Sequence, residues 1–187
     1  MQCVDVMGMA TAAAPTRIFF DTEFTQFRDG ELLSIAFLSD DDRSLVVEIH
    51  DSGRHRRASD FCHQVVLPQF GAVPARDVAD DAAAGLAIAE WLTPFPAPLA
   101  LCYDYKLDWR YLEAVLRAAA QWDGLAPRLQ AFNVADVAYS DACLQAQDAY
   151  FACQTWPVRH HPLVDAFALR ERWRAHERAV QAFQTPA

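Results

Sequence analysis

The chain has 187 residues and a formal net charge of −9, with 53% hydrophobic and 22% charged residues. This composition is typical of a water-soluble protein with one domain-sized core. No run of roughly 20 apolar residues occurs, which argues against a membrane-spanning protein. The acidic balance argues against a protein that binds along a duplex through a basic face.

The cysteines and the N-terminal segment indicate where the protein works. Five cysteines without a C-x-x-C pair fit neither a disulfide framework nor a structural zinc site, so we expect reduced thiols in the cytoplasm. The first 14 residues carry no Lys or Arg, unlike an export signal. We therefore expect a disordered arm over residues 1–16 and a single domain over residues 17–187.

Three short strands are predicted in the first part of the chain. Their apolar runs and the turns between them predict an antiparallel meander over Arg17–Phe24, Leu32–Leu38 and Ser44–Ile49. Residues 52–57 are then expected to form a basic loop. Ser59 is a suitable N-cap for a short helix that ends near Pro68.

Helices and strands alternate in the second part. The predicted elements are a helix Val78–Leu92, a strand Leu99–Tyr103, a helix Leu107–Ala120, a strand Phe132–Ala138 and a helix Pro162–Phe183. The order predicts an α/β fold, a central mixed five-stranded sheet with helices on both faces. It matches the ribonuclease H-like three-layer fold and could also describe other three-layer folds.

Asp21 and Glu23 lie at the end of the first predicted strand. Residues two apart point to the same face, with their backbones roughly 6 to 7 Å apart, so the two carboxylates can share metal ions. Without a cation they would raise each other's pKa. By itself the D-x-E spacing is equally compatible with a functional site and with chance, because residues 29–31 repeat it in a predicted turn.

Asp108 lies on the helix face that continues through Leu112, Val115 and Ala119. A carboxylate on an apolar stripe needs a metal ion or a donor, because burying it unpaired costs several kcal/mol. The alternative is a first-turn acid stabilised by the helix dipole. Asp104 precedes the helix and is first interpreted as its N-cap.

His160 and Asp165 are five residues apart around the start of the last predicted helix. This spacing can place an imidazole and a carboxylate at one rim. It is weak by itself, because His55 and Asp60 show the same spacing. Taken alone, the pair is better explained by a surface histidine and an acid stabilised by the helix dipole.

Together, three segments resemble the motifs of a known enzyme family. The segments are IFFDTEF, CYDYKLDWRYL and HHPLVDA, and they occur in the order and spacing of the three motifs of DEDDh 3′→5′ exonucleases. That family includes ribonuclease T, oligoribonuclease and polymerase proofreading subunits. The resemblance covers residues 18–173, and the strand ELLSIAF with the form YDYKLDW is most similar to a small bacterial exoribonuclease branch.

The resemblance implies a site and a reaction. Asp21, Glu23, Asp108 and Asp165 match the four acidic positions and would hold two Mg²⁺ or Mn²⁺ ions, which prefer oxygen ligands. His160 matches the general base that accepts a proton from water. The implied activity releases nucleoside 5′-monophosphates from the 3′ ends of RNA or single-stranded DNA. Relatives are often homodimers, so by analogy a homodimer is an open expectation.

Three positions that depart from the family pattern are the candidate substrate contacts. Phe24 and Thr25 occur where many relatives carry two threonines that contact the terminal nucleotide, and Asp104 occurs where many carry Asn. The ring of Phe24 could stack on a base or continue the core. These departures leave the substrate preference open, both RNA against DNA and substrate length.

Three other interpretations of the sequence stay open. The first is a catalytically weak 3′-end-binding protein of the same fold. The second is a small-nucleotide phosphodiesterase that uses the same two-metal site. The third is an α/β domain whose acidic residues only favour solubility.

Overall fold

The computed structural model describes residues 14–184 and contains one mixed sheet with the strand order β4-β3-β2-β1-β5-β6. The strands are β1 Thr16–Phe24, β2 Leu32–Ser39, β3 Ser44–Ile49, β4 Arg76–Val78, β5 Leu99–Tyr103 and β6 Leu129–Asn133. Strands β1, β2 and β3 form an antiparallel meander. Strand β5 runs parallel to β1, β6 parallel to β5, and β4 parallel to β3.

The helices follow the meander and lie between the later strands. In residues 14–184 they are α1 Ser52–Arg57, α2 Asp81–Leu92, α3 Lys106–Ala118, α4 Trp122–Leu125, α5 Asp141–Ala152 and α6 Pro162–Gln184. Between α1 and β4 the chain forms a π-helical turn, Cys62–Val66, and a 3₁₀ turn, Leu67–Gln69. Among these described helices, none combines the length and apolarity needed to cross a bilayer.

The central strand β1 is buried on both faces of the sheet. Ile18 and Phe20 pack in the core that contains residues of α2 and α3, whereas Phe19 packs in the core that contains residues of α6. Each fully buried large side chain contributes about 1.5–3 kcal/mol to folding. By the same alternation, Asp21 and Glu23 lie on the α6 face of the sheet.

The predicted α/β class, with a mixed sheet and helices on both faces, is confirmed, but the predicted strand count of five is wrong. The additional strand β4 has only three residues and pairs with β3 at the sheet edge. Its sequence Arg76-Asp77-Val78 has no apolar run, and the predicted helix Val78–Leu92 overlaps its last residue. Strand β6 also ends earlier than predicted, because Asn133 accepts a hydrogen bond from the Ala135 amide and starts a 3₁₀ turn.

Three helices were not anticipated: α1, α5 and the four-residue α4, which follows the predicted helix Leu107–Ala120. The predicted basic loop at residues 52–57 is α1, whose N-cap Asp51 accepts hydrogen bonds from the amides of Gly53 and Arg54. Helix α5 escaped prediction because Cys143 is its one buried residue and no apolar stripe marks it. Of the expected N-terminal arm, residues 1–13 lie outside the described residues, and Thr16 already belongs to β1.

Candidate active site

The two halves of β1 have different neighbours. Parallel pairing with β5 ends at Phe19↔Cys102, whereas antiparallel pairing with β2 continues to Phe24↔Leu32. Asp21 and Glu23 therefore lie beyond the carboxyl end of β5, where α/β sheets leave a crevice for ligands. The crevice is a pocket of about 700 Å³ between β1, the start of α3 and the start of α6.

Acidic side chains from three distant segments meet in this pocket. Asp21, Asp104 and Asp108 each offer a carboxylate oxygen, and the three atoms lie within 4.8 Å of one another. The second group consists of Glu23 and Asp165 with a ring nitrogen of His160, again within 4.8 Å. The structure thus brings together all five residues that the sequence placed in the catalytic set, and Asp104, a predicted substrate contact, lies beside them.

Asp108 is fixed by two hydrogen bonds as the third residue of α3. Its Oδ1 accepts from the Thr22 hydroxyl at 2.6 Å, and its Oδ2 accepts from the Tyr105 amide at 3.2 Å. Asp108 is buried. Its carboxylate caps the start of α3 and also belongs to the pocket. The N-cap of α3 is Tyr105, which makes the interpretation of Asp104 as the cap wrong.

Asp104 instead faces a buried arginine. Its Oδ2 lies 3.7 Å from Nη1 of Arg172, and Arg172 also donates to the Ala138 carbonyl at 2.6 Å. Burial raises the pKa of the Asp104 carboxyl, while Arg172 lowers it. Asp104 therefore adds a partly compensated carboxylate to the group of Asp21 and Asp108.

Desolvation and mutual repulsion disfavour the charged forms of the site carboxylates. Burial, followed by the neighbouring carboxylates, raises the pKa of Asp21 and of Glu23 well above the usual range. Burial also raises the pKa of Asp108 and of Asp165 to about 7, against the hydrogen bonds that these two accept. Such a group binds either protons or cations, and its all-oxygen acidic donors fit Mg²⁺ or Mn²⁺.

His160 is held at the pocket rim by its backbone. Its amide donates to both oxygens of Asp165, at 3.3 and 3.2 Å, and its φ of 68° lies in the left-handed region. Its Nδ1 lies 3.9 Å from Oε1 of Glu23, and the ring makes an edge contact with Phe61. Burial, then Arg159, lowers the pKa of His160, which favours the neutral imidazole that can accept a proton.

The two predicted substrate contacts on β1 and the turn that follows it differ. Phe24 lines the pocket and stacks on Tyr111 with ring centroids 5.2 Å apart. Thr25 is buried, and its hydroxyl accepts from the Glu31 amide at 3.0 Å, so it holds the turn after β1. Thr25 is not among the residues that line the pocket.

Sequence reasoning missed three exposed aromatic residues at the pocket. Phe27, Phe61 and Tyr105 line it with 76%, 48% and 47% of their surface exposed. Phe27 makes edge contacts with Phe24 and Tyr105, at centroid distances of 5.4 and 6.4 Å. The one available signal was an aromatic residue in a polar turn, Gln26-Phe27-Arg28, directly after the acidic motif.

No protein-family model and no curated protein matches the chain. Among solved structures, it is similar to S. pombe Pop2p in its Mg²⁺- and Mn²⁺-bound form, with a TM-score of 0.56 and 11% sequence identity. The match covers 87% of this chain and 82% of Pop2p. The two proteins therefore share a fold, and the mixed sheet between helical layers is consistent with the ribonuclease H-like architecture.

Proposed function

We propose that the protein is a metal-dependent 3′→5′ exonuclease of the DEDDh type that releases nucleoside 5′-monophosphates from single-stranded RNA or DNA. The proposal rests on the meeting of Asp21, Glu23, Asp108 and Asp165 with His160 in one pocket. Segments of β1, α3 and α6 supply these residues in the order of the family motifs. The motif forms favour the small bacterial exoribonuclease branch, with RNA as the preferred substrate.

The four acidic residues are proposed to hold two divalent cations. When bound, such ions lower the pKa of an attacking water and stabilise the leaving 3′-oxygen at the scissile phosphate. Burial and the neighbouring carboxylates raise the pKa of both Asp21 and Glu23, which means that they disfavour the charged carboxylates. Bound cations would relieve this repulsion. The fold shared with the Mg²⁺- and Mn²⁺-bound Pop2p supports these two ions.

His160 is proposed to accept the proton of the attacking water. Its imidazole is partly exposed, and its Nδ1 lies 3.9 Å from Oε1 of Glu23, one of the residues that would hold a cation. Burial, then Arg159, lowers the pKa of the His160 imidazole, which favours its proton-accepting form. Arg159, exposed at the same rim, supplies positive charge toward phosphate.

The aromatic residues at the pocket are proposed to hold the terminal bases. Stacking of a base on an aromatic ring contributes about 1–3 kcal/mol and tolerates any base. Phe27 and Tyr105 make an edge contact with each other, Phe61 makes one with His160, and all three line the pocket. Unstacked bases of a single strand reach such rings more readily than paired bases.

The deciding experiment follows nucleotide release from 5′-labelled and 3′-labelled oligonucleotides of RNA and DNA, with Mg²⁺, Mn²⁺ or EDTA. We expect metal-dependent release of mononucleotides from the 3′ end only. Asp165→Asn should remove the activity, and Asp148→Asn, an exposed acid on α5 outside the pocket, should retain it. Binding without cleavage, or cleavage of dinucleotides alone, would replace the proposal with the 3′-end-binding protein or the small-nucleotide phosphodiesterase.

A further inference from the structure

Gln69 is a buried amide whose hydrogen bonds reach the loop before α6. The residue ends the 3₁₀ turn Leu67–Gln69 and is 1% exposed. Its Oε1 accepts from the Val158 amide at 2.8 Å, and its Nε2 donates to the Arg159 carbonyl at 3.3 Å and to the Val65 carbonyl at 3.1 Å. The Gln69 side chain therefore hydrogen-bonds to the backbone of two consecutive residues that directly precede His160.

The turn that follows Gln69 is hydrogen-bonded to the central sheet. The Ala72 amide donates to the Gln69 carbonyl at 3.1 Å. Next to it, the Gly71 amide donates to both oxygens of Glu48, each at 3.0 Å, and Glu48 is a buried residue of β3. The loop before α6 is thus tied, through Gln69 and its turn, to a strand of the central sheet.

His160 depends on such support because its ring has little of its own. Among residues 14–184, no side chain or carbonyl hydrogen-bonds to the imidazole; Glu23 lies at 3.9 Å and Phe61 makes an edge contact. A catalytic histidine is usually oriented by a hydrogen bond on its second ring nitrogen. The φ of 68° at His160 is also an unfavourable conformation that persists only where the surroundings enforce it.

We propose that Gln69 is a positioning residue for His160, an inference that rests on the proposed nuclease function. By fixing the Val158 amide and the Arg159 carbonyl, the Gln69 side chain sets the backbone from which the imidazole projects. The orientation of the ring toward the Glu23–Asp165 group then comes from the backbone instead of from a side-chain partner. Loss of the Gln69 amide should misplace the proton acceptor while leaving Asp21, Glu23 and Asp108, which lie on β1 and α3, in place.

The test is a double-mutant cycle with Gln69→Met and His160→Ala. Gln69→Met keeps the side-chain length and removes both hydrogen-bonding ends. In the wild-type background it should lower kcat by about 10²-fold, the scale of a misplacement near 1 Å, with KM changed less than about threefold. In the His160→Ala background it should change kcat by less than about threefold, because the group it positions is already gone.

A readout that needs neither metal nor substrate accompanies the kinetics. Hydrogen exchange of the Val158 amide should accelerate in Gln69→Met, while exchange in β1 and β2 stays unchanged. Gln121→Met is the matched control, since the Gln121 side chain donates to the nearby Ala119 carbonyl and does not line the pocket. It should leave both kcat and the Val158 exchange rate at wild-type values.

The outcomes separate the two proposals. Equal losses of kcat from Gln69→Met in both backgrounds, or an unchanged Val158 exchange rate, would overturn the positioning role while the nuclease activity stands. A wild-type protein that releases no nucleotide with Mg²⁺ or Mn²⁺ would overturn the proposed function and, with it, the role of Gln69. Non-additive losses together with faster Val158 exchange support the assignment.

Discussion

Two groups in this molecule have the same composition and the same close spacing. Glu23, His160 and Asp165 place one ligand atom each within 4.8 Å of one another at the end of β1. Glu48, His50 and Asp77 do the same where β3 pairs with β4. If residue type and distance defined a metal site, the two groups would be equivalent.

Their surroundings make the groups different. Both oxygens of Glu48 accept a hydrogen bond from the Gly71 amide, which lowers the pKa that burial raises. His50 and Asp77 are exposed, and the His50 ring lies 3.2 Å from Asp77 as a hydrogen-bond partner. The β3–β4 group is therefore satisfied by protein donors and by water, and it lies outside the large pocket.

In the group at the end of β1 such compensation is incomplete: the His160 amide donates to both oxygens of Asp165, yet burial still raises the pKa of Asp165 to about 7. Burial, Asp165 and Asp108 all raise the pKa of Glu23, and a second carboxylate group containing Asp21 lies beside it. Excess negative charge in a pocket creates a demand for cations that close spacing alone does not create. The comparison suggests that the balance of donors and burial separates a catalytic cluster from a structural one.

The largest expected effect separates the two groups by activity. Asp165→Asn should lower nucleotide release on the order of 10³-fold or more, the scale at which members of one catalytic unit act. Asp77→Asn, the matching change in the β3–β4 group, should leave the rate within about twofold, because it is exposed and far from substrate. Rates at saturating Mn²⁺, with Mn²⁺ binding followed by calorimetry, check both; equal losses would erase the distinction.

A smaller effect is expected for the two histidines. His160→Ala should slow turnover by roughly 10²- to 10⁴-fold, since a general base contributes that much, while Mn²⁺ binding by the carboxylates is largely retained. His50→Ala should leave turnover unchanged. Single-turnover rates with titrated Mn²⁺ distinguish the loss of a base from the loss of a metal ion. Wild-type turnover in His160→Ala would remove it from the reaction.

A third prediction concerns the exposed aromatic residues that line the pocket beside the β1 group. Phe27→Ala should raise KM by about 5- to 150-fold with a smaller change in kcat, because stacking on one base contributes about 1–3 kcal/mol. Phe183→Ala changes another exposed phenylalanine, on α6 and outside the pocket, and should have no effect. Steady-state kinetics on short RNA compare the two, and matching KM values would remove the rim from substrate binding.

The strands that sequence predicted well are those with long apolar runs. β1, β2, β3 and β5 carry such runs, and their predicted bounds differ from the observed ones by about one residue. β4 consists of Arg76, Asp77 and Val78, so nothing in its own residues marks a strand, and its pairing with β3 creates it. In the same way, α1 depends on the Asp51 cap more than on apolar periodicity.

The acidic residues of the site could be anticipated because they stand in short local motifs. Their meeting in one pocket follows from the crossover order of the sheet, which the element order already suggested. Phe61 and Gln69 could not be anticipated, because their contacts with His160 and with the loop before it form only when distant parts of the chain are brought together. Asp104 was misassigned because an acid before a helix resembles a cap, whereas its partner Arg172 lies on a distant helix.

The smallest expected effect is on stability, and its sign distinguishes the two groups without any substrate. Asp108 and Asp165 have a pKa of about 7 in the folded state, above the ordinary aspartate value. Between the unfolded and folded pKa values, from about pH 4 to 7, the folded state binds more protons than the unfolded chain. The metal-free protein should therefore lose stability as the pH rises through this window, and Mn²⁺ should restore it at pH 8.

A neutral amide at the β1 group should then stabilise the metal-free protein while removing its activity. In EDTA at pH 8, Asp165→Asn should raise Tm by at least about 2–4 °C, which corresponds to about 1 kcal/mol in a chain of this size. Asp77→Asn should not raise it, since Asp77 is exposed to solvent and its Oδ1 lies 3.2 Å from Nε2 of His50. A Tm that falls in Asp165→Asn, or one that rises equally in both variants, would show that the β1 group carries no excess charge. Its likeness to the β3–β4 group would then extend from composition to energetics.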